Sequence, residues 1–168
     1  HLFVQYTAGT SHSMGLKADG SVWAWGYGGN GELGDNTLTT KSSPVAVAGA
    51  HSFVDIAAGY THNAALKTNG EMWTWGYNSY SGIGGTGQLG DNSITTRSSP
   101  VSVVGGHSFI AVAASLINTY GLKADGSVWA WGNGGNGELG NNATTARSSP
   151  VSVVGGHSFI AVAATLIN

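Results

Sequence analysis

Cysteine is absent from the 168 residues, so the chain can form no disulfide and offers no thiolate metal site or cysteine nucleophile. Charge is scarce as well. Asp, Glu, Lys and Arg make up 8% of the chain, against roughly a quarter in ordinary soluble domains. A formal net charge of -2 provides no basic field to hold a phosphate backbone, which argues against nucleic acid as a partner. No apolar run approaches the roughly 18 residues a membrane-crossing helix needs, so membrane insertion is not expected. Proline is limited to three residues, and the 28 glycines follow no collagen period. The chain opens at His1 with neither methionine nor the basic and apolar segments of a leader, as expected of a mature product or a part of a longer chain.

What is present is a repeat. Trp-Gly recurs at Trp25-Gly26, Trp75-Gly76 and Trp131-Gly132, and His-x-Phe recurs in the same phase from His1, His51, His107 and His157. The second unit is longer by an insertion between Asn78 and Gly87. Arg97 to Ala114 and Arg147 to Ala164 both read RSSPVSVVGGHSFIAVAA. The expected units are therefore 1–50, 51–106 with its insertion near 78–87, 107–156, and 157–168 as the first strand of a further repeat.

Each unit reads as four short strands. Phe53 to Ala58 is apolar and β-branched, then shrinks to alanine and Gly59, as expected where strands converge. Ala64–Lys67 and Glu71–Trp75 flank Asn69-Gly70, with Asp19-Gly20 and Asp125-Gly126 in the same place, which predicts hairpins closed by type I′ turns around Gly20, Gly70 and Gly126. Alternation in Val22-Trp23-Ala24-Trp25 puts both tryptophans on one face. A fourth strand is expected after Pro44, Pro100 and Pro150, since a missing N–H suits a strand start or a sheet edge. No helical period appears.

Four strands in about 50 residues, with an aromatic signature in each unit, is the pattern of a β-propeller blade. The fold class is therefore all-β: four-stranded antiparallel blades, three of them plus one strand. The succession AAGYTHNAALKTNGEMWTWGYN, GQLGDN and RSSPVSVVGG resembles the regulator of chromosome condensation type repeat, and the likeness runs the length of the chain. That resemblance implies a propeller of typically seven blades, closed by strands from both termini sharing one blade. Three blades cannot close such a ring. Open blade faces expose apolar surface and strand edges, so completion by further repeats of the same polypeptide or by other copies in trans is expected.

The six tryptophans, Trp23, Trp25, Trp73, Trp75, Trp129 and Trp131, are expected to be buried between blades, although sugar stacking on exposed indoles would make a glycan partner possible. His12 and His62 recur beyond the Ala-Gly turn, but Asn118 and Asn168 take that phase elsewhere, which points to side-chain hydrogen bonding rather than proton transfer. No metal site is expected from histidines in one phase on successive blades. The Gly31–Asn36, Gly87–Asn92 and Gly137–Asn142 loops vary their oxygen ligands and lack calcium-loop spacing, so they read as turns plugged by a leucine. Asn142-Ala143-Thr144 is a glycosylation sequon. No catalytic constellation or cofactor motif is found, so no enzyme activity and no cofactor are expected. The insertion, with Tyr77, Asn78, Tyr80, Ile83 and Thr86, is either an asymmetric recognition loop on a rigid scaffold or a tolerated surface insertion.

Near-verbatim repeats, low charge and incomplete closure point to a non-catalytic scaffold for protein interaction, adhesion or assembly, including a filament or surface-layer subunit. An extracellular or cell-surface setting is expected. The resemblance also admits a regulatory propeller that binds a small GTPase or another protein. A carbohydrate-binding propeller is a third possibility.

Overall fold

In a computed structural model of the chain, which describes residues 2–79 and 86–165, every regular element is a β-strand. The first sheet runs β1 (Phe3–Ala8), β2 (His12–Lys17), β3 (Val22–Gly26) and β4 (Lys41–Ala46). The second runs β5 (Phe53–Ala58), β6 (His62–Lys67), β7 (Met72–Gly76) and β8 (Arg97–Ser102). The third runs β9 (Ala111–Ala114), β10 (Asn118–Leu122), β11 (Val128–Gly132) and β12 (Arg147–Ser152). Each sheet is antiparallel with its strands in chain order, the up-and-down meander of a propeller blade.

Alternating side chains give each blade two apolar faces, and successive blades pack face to face. Met14, Leu16, Val22, Ala24 and Leu33 of the first blade meet Phe53, Ile56, Ala58, Ala65 and Trp75 of the second in one buried cluster. Ala64, Leu66 and Met72 of the second blade meet Phe109, Val112 and Trp131 of the third in the next. The loop leucines Leu33, Leu89 and Leu139 are wholly buried, in keeping with the plug reading. The alanine-glycine tails of β1 and β5 also have a cause: a Cβ on Gly9 or Gly59 would come within 2.2 Å of the ring of His12 or His62.

The hairpin turns differ from the expected type. Among the turn residues only the glycine has a positive φ, +82° at Gly20, +84° at Gly70 and +82° at Gly126. Gly70 N–H donates to Lys67 O and Lys67 N–H to Glu71 O, so the loop is a type I turn closed by a glycine bulge, not a type I′ turn. The reason lies in the next blade. Gly20 O accepts Phe53 N–H, Gly70 O accepts Phe109 N–H and Gly126 O accepts Phe159 N–H, each at 2.9 Å. A Cβ on Gly70 would sit 2.2 Å from Ser108 Oγ. Gly70→Ala is therefore expected to cost more than the ~1 kcal/mol of strain alone, read as a lowered urea midpoint, whereas Ala124→Gly in an equivalent exposed turn should cost little.

One further expectation needs adjusting. The prolines lie inside the fourth strands, three residues after each start, and are tolerated because β4, β8 and β12 are edges of their sheets. Residues 157–165, read as the first strand of a further repeat, carry no ladder. They are held by the Phe159–Gly126 bond.

Candidate interaction surface

A chain of hydrogen bonds runs from blade to blade through the starts of the second strands. His12 Nε2 lies 2.7 Å from Asn63 Oδ1, and Asn63 Nδ2 donates to Glu32 O at 2.7 Å. At the next boundary His62 Nε2 lies 3.0 Å from Thr119 Oγ1, whose own proton goes to Gln88 O at 2.8 Å. Thr119 and the Asn63 carbonyl can therefore only accept from histidine, which requires a proton on Nε2 of both rings. Burial pushes the pKa of His62 down to about 3, and burial also lowers that of His12 against the raising effects of the Asn63 bond and Glu32. These histidines join blades as neutral imidazoles at neutral pH, their Nε2 protons engaged across the boundaries.

The two tryptophan phases play different parts. Trp75 and Trp131 are fully buried between blades, and Trp75 Nε1 donates to Glu32 O at 3.1 Å. Trp25, their counterpart on the first blade, is half-buried, with Phe3 stacked on it at 5.8 Å. Trp23, Trp73 and Trp129 are also half-buried rather than core. Lys17, Lys67 and Lys123 lie 4.0, 4.4 and 4.2 Å above their rings, and His51 and His107 sit 4.2 Å from Trp73 and Trp129. Their faces are already engaged by cations and imidazoles within the blade.

At the insertion, Asn78 is wholly buried. Its Nδ2 donates to Asp91 Oδ1, Ser93 O and Thr95 O, and its Oδ1 accepts from Leu89 N–H at 3.0 Å. Asp91 in turn pairs with Arg97 at 2.7 Å. Thr86 is buried too and donates to Gln88. Tyr77 is half-buried, while Tyr80 and Ile83 lie outside the described residues. Asn78, Asp91 and Arg97 thus brace the root of the insertion.

One surface feature recurs in every unit. Immediately after the His-x-Phe phenylalanine, Val4, Val54, Ile110 and Ile160 are 60%, 51%, 57% and 98% exposed. In β1 and β5 this residue is the bulge, skipped between Phe3 and Gln5 and between Phe53 and Asp55, so its side chain leaves the packed face. The rim was open to detection in the sequence as a β-branched aliphatic at one phase of all four copies, but its exposure at Val4 and Val54 follows from the bulge, which the pattern does not show.

Comparison with known proteins places these features. The regulator of chromosome condensation (RCC1) repeat profile matches residues 19–66 and 125–164, and a second profile of the same repeat matches 3–32 and 53–81. The segment 19–66 begins at a hairpin turn and ends in β6, so it spans a blade boundary and contains the Gly20–Phe53 bond. Prp20p from Saccharomyces cerevisiae, whose structure is described with its binding to Gsp1p and histones, is 21% identical with a TM-score of 0.79. The match covers 98% of this chain and 42% of that one. Human WBSCR16 is 18% identical with a TM-score of 0.73, over 98% of this chain and 56% of that one. Yeast RCC1 bound to Kap60 is 23% identical with a TM-score of 0.75, over 90% and 37%. The chain thus spans about half or less of the solved chains it matches. With one profile covering just over half of its residues, the chain belongs to the regulator of chromosome condensation (RCC1) repeat family.

Proposed function

We propose that the chain is a non-catalytic scaffold that binds a protein partner across the rim formed by Val4, Val54, Ile110 and Ile160. The recurrence of this exposed aliphatic in all four copies carries the reading, because the large apolar residues at the neighbouring phases are mostly buried. Val4 and Val54 stand at the bulges of strands in two blades packed face to face, which suits recognition with little ordering cost. The solved relatives support a protein as partner, since their structures are described with Gsp1p, histones and Kap60. A structural or adhesive role at the cell surface fits the low charge.

The test is a binding panel of Gsp1p, core histones and Kap60 against the immobilised chain, by interferometry. A V54D/I110D double variant should lose at least tenfold in affinity for whichever protein binds, with its thermal midpoint unchanged, because both side chains are more than half exposed. Undiminished binding by this variant would refute the rim reading.

A further inference from the structure

We propose that a cleft between the first and second blades binds an alkylammonium group, with Glu32 as its counter-charge. All of its lining residues belong to those two blades, whose shared boundary lies wholly within the chain. The reading is independent of the rim, none of whose residues lines the cleft.

The cleft has a volume of about 240 Å³. His12 and Glu32, 3% and 1% exposed, form its floor, and the exposed Thr10, Ser11 and Tyr27 stand at its mouth. Backbone bonds hold that mouth in shape. Thr10 N–H donates to Tyr60 O at 3.3 Å across the blade boundary, and Tyr27 N–H donates to Ser11 O at 2.8 Å. Sites that enclose a whole drug-sized ligand run to roughly 300–1,000 Å³, so this one takes a group the size of a side chain.

Charge decides which group. Glu32 is a buried carboxylate with no cationic partner among the described residues, whereas Asp35 and Asp91, three residues on in their loops, pair with Lys41 and Arg97 at 4.0 and 2.7 Å. A buried charge is costly unless it is paired. Asn30 N–H and Nδ2 donate to the two carboxylate oxygens, each at 2.9 Å, which fills two of about four acceptor sites and leaves the charge uncompensated. His12 adds no positive charge beside it, since burial lowers its pKa and its Nε2 proton goes to Asn63. Thr61 Oγ1 lies buried with no hydrogen-bond partner among the described residues and offers a further acceptor. Tyr27 and Tyr60 add aromatic surface, which attracts a cation.

The second boundary lacks these groups. Gln88 stands at the phase of Glu32, Leu116 at that of Tyr60 and Ile117 at that of Thr61. The chain therefore carries its own replacements, each already accepted at an equivalent boundary. An ammonium in the first cleft meets the Glu32 carboxylate and the Thr61 hydroxyl, and its alkyl stem lies toward the mouth.

Titration of the isotope-labelled 168-residue chain with n-butylammonium chloride, at neutral pH and constant ionic strength and followed by amide chemical shifts, tests this. The amides of Ser11, Tyr27 and Thr61 should shift together and saturate, and n-butanol, the neutral isostere, should leave them in place. E32Q should weaken binding roughly tenfold or more, with the rest of the spectrum that of the wild type. T61I, which should also weaken it, takes its place should E32Q fail to fold. Nα-acetyl-lysine methylamide separates the two sources of the group. Binding at least as tight as that of n-butylammonium assigns the cleft to a lysine side chain of a partner, and weaker binding assigns it to a free amine. Shifts that do not saturate, equal shifts with n-butanol, or undiminished affinity in the folded variant would each overturn the proposal.

Discussion

Replacing Trp75 with alanine is expected to cost about 4 kcal/mol, the range for removing a fully buried indole from a core. The side chain packs on Phe53 at 6.2 Å between ring centroids, lies against Gly34 and donates to Glu32 O across the blade boundary. Its loss opens the first boundary and removes one of the two donors to that carbonyl, leaving Asn63. Trp73→Ala, two residues away on the same face, should cost about 1–2 kcal/mol, because that ring is half-buried and loses chiefly its contacts with Lys67 and His51. Urea unfolding followed by far-UV circular dichroism separates the two, and equal losses would contradict the assignment of separate roles.

Acid is expected to loosen the blades well above the pH at which carboxylates protonate. His62 is neutral in the fold with its pKa pushed down to about 3, while in the unfolded chain it returns to the ordinary value near 6.5. Above pH 6.5 neither state binds the proton and the contribution to stability is complete. Below it the unfolded chain binds a proton that the fold refuses, so stability falls by about 1.4 kcal/mol per pH unit down to about pH 3, some 5 kcal/mol in all. His12, lowered by burial, acts in the same direction. Urea midpoints measured from pH 7.5 to 4 should show this slope. His62→Asn, which installs the residue that Asn118 supplies at the same phase, should flatten it. A slope unchanged in that variant would place the acid sensitivity elsewhere.

The blade was legible in the sequence because its determinants are local: alternation in Val22 to Trp25, the Asp-Gly and Asn-Gly turns, and a fixed phase of tryptophan. Features decided by neighbouring blades were not. The Asn-Gly motif serves both hairpin types, and the choice here follows from Phe109 N–H needing Gly70 O. Trp73 and Trp75 share a face, so periodicity cannot say that one is half-buried under Lys67 and the other fully buried at the boundary. The phase of Asn78 is glycine in the other blades, at Gly28 and Gly134, so a polar residue beside an insertion read as a contact residue. Its side chain instead turns inward to satisfy the backbone of the loop.

The central claim is that one interface is used twice within the chain, at the boundaries between its three blades. Amide hydrogen exchange at three equivalent residues tests it most directly. Asn36 and Asn92 N–H, bonded across the blade boundaries, should exchange slowly at every concentration. Asn142 N–H, which has no such backbone acceptor among the described residues, should exchange faster than either in the 168-residue chain. Fast exchange at Asn36 and Asn92, or an Asn142 protected to the same degree as they are, would contradict the account.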